Sequence, residues 1–306
     1  SLACLFTHSS DKRLETNSMN QFNEYSAIAQ VAVRNTENAF INQQKLRDEW
    51  KPLRFHDMPN IDEAHNEYDQ FRRILEKSGA NIIDLPSHAT LTIDSIYTRD
   101  SILISPKGLI LCNMGRASRT PEARSNAEVY KSFGHQVAGE IVAPGTLEGG
   151  DFIWLDEHHA AVGLGPRTNK EGIAQLQAIL GEEVDLHIVE LPAPEHPDDV
   201  LHLMSIISPL DKDLALIYRT LMPTQFIEWL EQLGIAFVDV PEAEYLPMGC
   251  NVLALGPRQV LMLENLPGVK SGLEVAGCSV TTYKGLEISR KGEGGPTCLT
   301  RPLVRG

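Results

Sequence analysis

Cysteine is scarce and poorly placed for a framework. Cys4, Cys112, Cys250, Cys278 and Cys298 form an odd set of five, with no Cys-x-x-Cys pair and no histidine at zinc-finger spacing. That excludes a disulfide scaffold and a thiolate zinc module, and it fits a reducing compartment. Single thiols are left to act as nucleophiles or as packing. Basic residues are outnumbered, 27 Lys and Arg against 41 Asp and Glu for a formal net charge of -14, and no Lys/Arg run exceeds two residues. Nucleic acid needs a basic face and is excluded as a partner; a small cation suits the field of the chain better. Long apolar runs are also missing. Nothing approaches the roughly 18 residues of a membrane span, and the apolar stretch 2–6 is too short for a signal-peptide core. A cytoplasmic location without membrane contact is therefore expected. No glycine-rich turn follows the first strand, as a doubly wound nucleotide fold requires; Gly163-Leu164-Gly165-Pro166-Arg167-Thr168 stands in the wrong place. No metal is expected, His158 and His159 being read as a solvent-exposed hairpin tip, and no cofactor is expected.

What is present is a repeat. Residues 1–25 give an irregular lead-in, and 26–306 reads as one catalytic domain. A strand at 26–33, helices at 37–50 and 61–77, and a strand at 80–85 come first. Four copies of hairpin, helix and strand follow. The hairpins pair 101–105 with 109–113, 152–155 with 160–164, 203–207 with 214–218, and 252–255 with 260–263. The helices are 121–133, 170–180, 224–233 and 270–276, and the closing strands 136–142, 186–191, 236–240 and 279–283. Such a period calls for reading the chain as a repeat architecture. The predicted fold is α/β: a five-fold pseudosymmetric propeller of ββαβ modules around a central polar site.

The polar residues preceding each module keep the same beat. Asp100, Glu148, His202, Asn251 and Cys298 stand 48, 54, 49 and 47 residues apart, so ring closure would bring all five to one axis. Carboxylates in a closed site bind a planar cation such as guanidinium through paired charge-assisted hydrogen bonds. A thiolate attacks an electron-poor carbon and needs a cationic neighbour to ionise near neutrality, which the bound guanidinium can supply. An imidazole with a pKa near the working pH can protonate a departing amine and then activate water. Taken singly, each residue has a plainer reading. Cys298 is a small hydrophobe, His202 a satisfied core histidine, Glu148 and Asp151 turn acids, Asn251 a loop-satisfying amide and Cys250 packing.

The motifs Tyr97-Thr98-Arg99-Asp100, Leu147-Glu148-Gly149-Gly150-Asp151, Gly165-Pro166-Arg167-Thr168-Asn169, His202-Leu203-Met204-Ser205, Gly249-Cys250-Asn251 and Gly295-Pro296-Thr297-Cys298 resemble, in order and spacing, those of the guanidine-modifying pentein superfamily. It contains arginine deiminases, dimethylarginine dimethylaminohydrolases and amidinotransferases. The resemblance implies Cys298 as nucleophile through a covalent amidino-thioether, His202 as general acid/base, and Glu148 as the carboxylate that holds and helps protonate the guanidinium. It implies Asp94 and Asp100 as guanidinium contacts, Asp151 as a further substrate contact, and Arg167 and Arg119 as clamps on a substrate carboxylate. Met204 stands where deiminases and glycine amidinotransferases carry aspartate, which favours the dimethylarginine-hydrolase side and room for a substituted nitrogen. The ending Cys298-Leu299-Thr300-Arg301-Pro302-Leu303 is more similar to deiminases and amidinotransferases. The expected activity is hydrolysis at the guanidino carbon of arginine or an N-substituted relative. The alternatives are amidino transfer to an acceptor amine and a non-catalytic pentein that binds a macromolecule. Assembly into a homo-oligomer is left open.

Overall fold

The structure, a computed structural model, describes residues 20–196 and 199–306. Most of the expected lead-in, with Cys4, lies outside the described residues. The strands are β1 (Ile28–Val33), β2 (Asn81–Asp84), β3 (Ile102–Ser105), β4 (Gly108–Leu111), β5 (Val137–Glu140), β6 (Phe152–Asp156), β7 (His159–Leu164) and β8 (Asp185–Glu190). Then come β9 (Ile207–Asp211), β10 (Leu214–Ile217), β11 (Ala236–Asp239), β12 (Leu253–Gly256), β13 (Gln259–Leu263), β14 (Ser279–Tyr283) and β15 (Arg301–Arg305). The helices are α1 (Thr36–Ala39), α2 (Gln43–Glu49), α3 (Ile61–Lys77), α4 (Glu122–Ser132), α5 (Lys170–Leu180), α6 (Thr224–Gln232), α7 (Glu242–Tyr245) and α8 (Pro267–Val275).

The strands form five three-stranded sheets, each a blade of a five-fold pseudosymmetric α/β propeller. In each, a central strand pairs antiparallel with one neighbour and parallel with the other, as β10 does with β9 and β11. The parallel partner needs a crossover, which α4, α5, α6 and α8 supply in four blades and α1 to α3 in the first. Central strands are covered on both faces and read as continuous apolar runs: Leu214, Ala215, Leu216 and Ile217 of β10 are all buried. The parallel partners sit outermost and alternate in exposure. Helix α3 buries Ala64, Tyr68, Phe71 and Leu75 along one stripe, the spacing of an amphipathic helix. Asn60 caps it by accepting the Glu63 N–H at 3.0 Å.

Three sequence expectations change. The helix expected at 37–50 is two short helices, because Ile41 takes a positive φ of 64° and Asn42 starts α2 by accepting the Lys45 N–H. The third hairpin is displaced: 203–205 is a single 3-10 turn, and Pro209, which falls between the two expected strands, lies inside β9 opposite Ala215. Proline is tolerated there because β9 is an edge strand of its sheet. The run behind Cys298 is β15, which pairs antiparallel with β1 and completes the first blade from the far end of the chain. Among the described residues, no helix is long and apolar enough to cross a membrane.

Candidate active site

Hydrogen bonds stitch the blades into a closed cycle around the axis. Gly149 N and Gly150 N donate to the carbonyl and to Oδ1 of Asp100 at 2.7 and 2.9 Å. Leu203 N donates to Asp151 Oδ1 at 3.0 Å, Ser208 Oγ to the Cys250 carbonyl at 2.6 Å, and Thr297 N to Asn251 Oδ1 at 3.1 Å. Arg99 N donates to the Cys298 carbonyl at 3.2 Å and closes the ring. The five beat residues therefore converge, each on the turn that enters its blade. Gly150 has to be glycine, since a Cβ there would meet His202 Nδ1 at 2.5 Å and Asp100 Oδ1 at 2.8 Å.

Glu148 is fully buried and anchors the polar cluster. Its Oε1 lies 2.9 Å from His202 Nε2 and accepts from Arg167 Nη1 at 2.9 Å, while its Oε2 accepts the Arg116 N–H at 3.0 Å. Burial works against this carboxylate's charge, but His202 and Arg167 outweigh it and hold its pKa far below the usual range. For His202, burial works against the imidazolium, yet Asp100, Asp151 and Glu148 prevail and raise it to about 9. The imidazole is thus cationic at neutral pH, which replaces the expected pKa near the working pH. Burial pushes Asp151 up to about 6 despite His202 and Thr168. Asp94 pairs with Arg116 Nη1 at 2.9 Å.

Cys298 is half-buried. Its Sγ accepts a hydrogen bond from Asn251 Nδ2 at 3.2 Å. Burial and the Asp100 charge push the thiol up to about 11, against the pull of Asn251, the Gly295 backbone and Arg99. At rest the sulfur is protonated. The turn leading to it is held from outside the hub: Glu67 of α3 accepts the N–H groups of Leu286, Glu287 and Ile288 at 3.1, 2.8 and 3.2 Å.

The structure gathers Glu148, His202, Asp100 and Arg167 into one cluster, pairs Asp94 with Arg116, and sets Cys298 within electrostatic reach of Asp100. Two substrate-contact expectations do not fit. Arg119 donates to Asp100 Oδ2, the Tyr97 carbonyl and both Glu122 oxygens, so it braces Asp100 from behind. Asp151 has one oxygen on Leu203 N and the other on Thr168 Oγ1 at 2.7 Å, which is the backbone-capping role. Arg167 is aimed at Glu148. Sequence reasoning missed Arg116, a lone arginine in a Gly-Arg-Ala loop whose partner Asp94 lies 22 residues away; no local signal pairs them. Asn251 was in the beat but was read as structural.

Ligand atoms of Asp100, Glu148 and His202 lie within 4.8 Å of one another, but their oxygens are already committed to arginines and backbone N–H groups, the pattern of an ion-pair network. Within it, five carboxylates (Asp94, Asp100, Glu122, Glu148, Asp151) face three guanidiniums (Arg116, Arg119, Arg167) and one imidazolium. A fourth guanidinium, buried Arg34, also acts on Glu122, so the network's charges are matched.

The family model described as N,N dimethylarginine dimethylhydrolase, eukaryotic, matches residues 32–305. The chain belongs to this dimethylarginine dimethylaminohydrolase family. The N(G),N(G)-dimethylarginine dimethylaminohydrolase of Pseudomonas aeruginosa is 26% identical over 243 residues, covering 79% of this chain and 89% of that protein. A citrulline-complexed structure of the Pseudomonas aeruginosa enzyme superposes with a TM-score of 0.73 at 23% identity, over 92% of this chain and all of that one. An amidinotransferase of saxitoxin biosynthesis from Microseira wollei gives 0.74 at 18% identity, over 94% and 97%. The dimethylarginine dimethylaminohydrolase assignment makes this chain a pentein and a hydrolase of C–N bonds in linear amidines.

Proposed function

We propose that this enzyme hydrolyses the guanidino carbon of an N-substituted arginine, or of arginine itself, through Cys298. The observation that supports this reading most is the buried cluster of Asp100, Glu148 and a cationic His202 on the ring that also carries a protonated Cys298 thiol under the Asp100 charge. A guanidinium entering next to Cys298 brings a positive charge that draws the thiol pKa down, so that the proton leaves to solvent only when substrate is bound. Asp94 orients the guanidinium, while Asp100 and Glu148, whose oxygens are held by Arg119, Arg167 and backbone N–H groups, supply negative charge beside it. The thiolate forms a C–S bond to the guanidino carbon. His202 gives its proton to the departing nitrogen as that C–N bond breaks. Neutral His202 then takes a proton from water, the new hydroxide bonds to the carbon, and the C–S bond breaks to return the thiolate. The products are citrulline, or another ureido compound, and an amine or ammonia.

Met204, where an aspartate would contact the guanidinium in the related deiminases, favours a substituted nitrogen; Arg167 is the candidate for the substrate's carboxylate. The deciding experiment is product analysis on arginine, methylated arginines, agmatine and guanidinoacetate, with and without an acceptor amine. Citrulline from methylarginines, insensitive to the amine, is the expected result. An amidino group appearing on the added amine would make the enzyme a transferase, and no turnover with any of them would favour a binding role. An electrophilic amidine should modify Cys298, because burial pushes Cys112 and Cys250 well up; a label on either would defeat the thiol's assignment.

A further inference from the structure

Next to the hub, three guanidiniums, two of them on β15 and the third from the Arg99 turn, are buried around one carboxylate. Arg99, Arg301 and Arg305 are 1%, 6% and 4% exposed, and Glu24 is 7% exposed. Glu24 accepts from Arg99 Nη1 at 3.2 Å and from Trp154 N at 3.3 Å. Burial opposes its charge but Arg99, Arg305 and Arg301 overcome this and lower its pKa, so it is ionised. Burial lowers Arg301 to about 9 and Arg305 to about 10, both still charged at neutral pH. Guanidiniums do not shed their protons in proteins, so three positive charges stand against one negative. The remaining contacts are to neutral carbonyls. Arg99 Nε donates to Thr297 O at 3.1 Å, Arg305 Nη1 to Ser26 O and Ala254 O at 2.6 and 2.9 Å, and Arg301 Nε to Pro302 O at 3.1 Å.

Two donors are left over. Nη2 of Arg99 and Nη2 of Arg305 are buried and have no hydrogen-bond acceptor. Both arginines line the same cavity, about 10 Å³, together with Glu24, Met204, Ser208 and Thr297. A buried charged donor without an acceptor is among the costlier features a fold can carry, and in native structures such groups are commonly met by a water or an ion. A water could accept from both nitrogens but would leave the surplus charge in place. The cavity admits one small sphere and is too little for phosphate, sulfate or a carboxylate ligand.

We propose that this cavity binds one monoatomic anion, a halide such as chloride, between the Nη2 atoms of Arg99 and Arg305. The anion accepts from both orphaned nitrogens and offsets the buried positive charge. It stabilises the end of the ring where β15 closes the first blade.

The test uses the wild-type enzyme crystallised with bromide in place of chloride, with diffraction collected at the bromine absorption edge. An anomalous peak at hydrogen-bond distance from both Nη2 atoms is expected. In solution the same protein should melt a few degrees higher in chloride than in gluconate at equal ionic strength, since a ligand that binds only the folded state raises its stability by mass action. Met204→Asp sets a carboxylate in the same cavity and is expected to abolish both the peak and the salt difference. If that variant does not fold, the wild-type measurements decide. Density without an anomalous signal at the site, bromide on the surface as an adventitious ion only, or equal melting in the two salts would overturn the proposal.

Discussion

Asn251 and Cys298 are joined across two blades: Asn251 Nδ2 donates to the sulfur at 3.2 Å while its Oδ1 accepts the Thr297 N–H at 3.1 Å. One amide therefore fixes the loop and favours the thiolate form of the residue that follows. A hydrogen bond to a charged group contributes about 1.5–3 kcal/mol, which corresponds to roughly a ten- to hundredfold change in an equilibrium. Asn251→Ala is expected to move the pH profile of Cys298 alkylation to higher pH and to lower kcat/KM by that factor. An unchanged alkylation profile would reduce Asn251 to a loop anchor.

The pair His202 and Glu148 gives stability a pH dependence of known sign. The folded His202 pKa is raised to about 9 from the ordinary imidazole value of 6.5. The contribution is complete below about 6.5 and is lost as pH rises through about 9, because in that interval the folded state binds a proton that the unfolded state has released. Wild-type stability should decline across this window by an amount on the order of 2 kcal/mol. His202→Asn should flatten the decline and lower turnover by about 10²–10⁴-fold, as loss of a general acid/base does. Denaturant titrations at pH 6.5, 8 and 9 measure the first effect; parallel declines in both proteins would remove the imidazolium from the account.

The ring was legible because every blade repeats one chemical phrase: a polar residue, a short turn, and an apolar hairpin. That phrase marks Asp100, Glu148, His202, Asn251 and Cys298 whatever the intervening loops do. Pro209 was misread because proline signals a turn unless the strand lies at an edge, and edge position is a property of the sheet rather than of the neighbouring residues. Closure by β15 was hidden for a similar reason. Arg301 and Arg305 flank Pro302-Leu303-Val304 like the charged ends of a solvated edge, yet both arginines are buried. Arg116 and the saturated states of Arg119 and Asp151 depend on partners brought in by other turns, and one sequence cannot assign them.

Arg167 carries two expectations that one substitution separates. Its Nη1 holds Glu148 Oε1 at 2.9 Å, both side chains being buried, and removing one partner of a buried ion pair costs about 3–5 kcal/mol. Arg167→Met should therefore lower the melting temperature. If the same guanidinium also meets the substrate's carboxylate, the variant loses the preference for arginine derivatives over agmatine, which lacks that group. Kinetics on both substrates check this: a preserved preference assigns Arg167 to Glu148 alone and moves carboxylate recognition elsewhere, with Arg116 the nearest alternative.

Glu67 tests whether the nucleophile's position is set from outside the hub. Its carboxylate, buried on α3, accepts three consecutive N–H groups at Leu286, Glu287 and Ile288, and Tyr97 Oη donates to the Ile288 carbonyl at 3.2 Å. These contacts hold the turn from which the chain runs to Cys298. Glu67→Ala would leave the three donors without their acceptor, at about 1–3 kcal/mol for each that water does not reach. The expected outcome is a loss of several degrees in melting temperature, together with a fall in kcat larger than any rise in KM, because the proposed guanidinium contact at Asp94 is untouched while the sulfur loses its position. Glu67→Gln keeps one acceptor oxygen and should recover part of both. A Glu67→Ala enzyme with unchanged kcat would mean that Asn251 and the ring-closing Arg99–Cys298 backbone bond are enough to place the thiol.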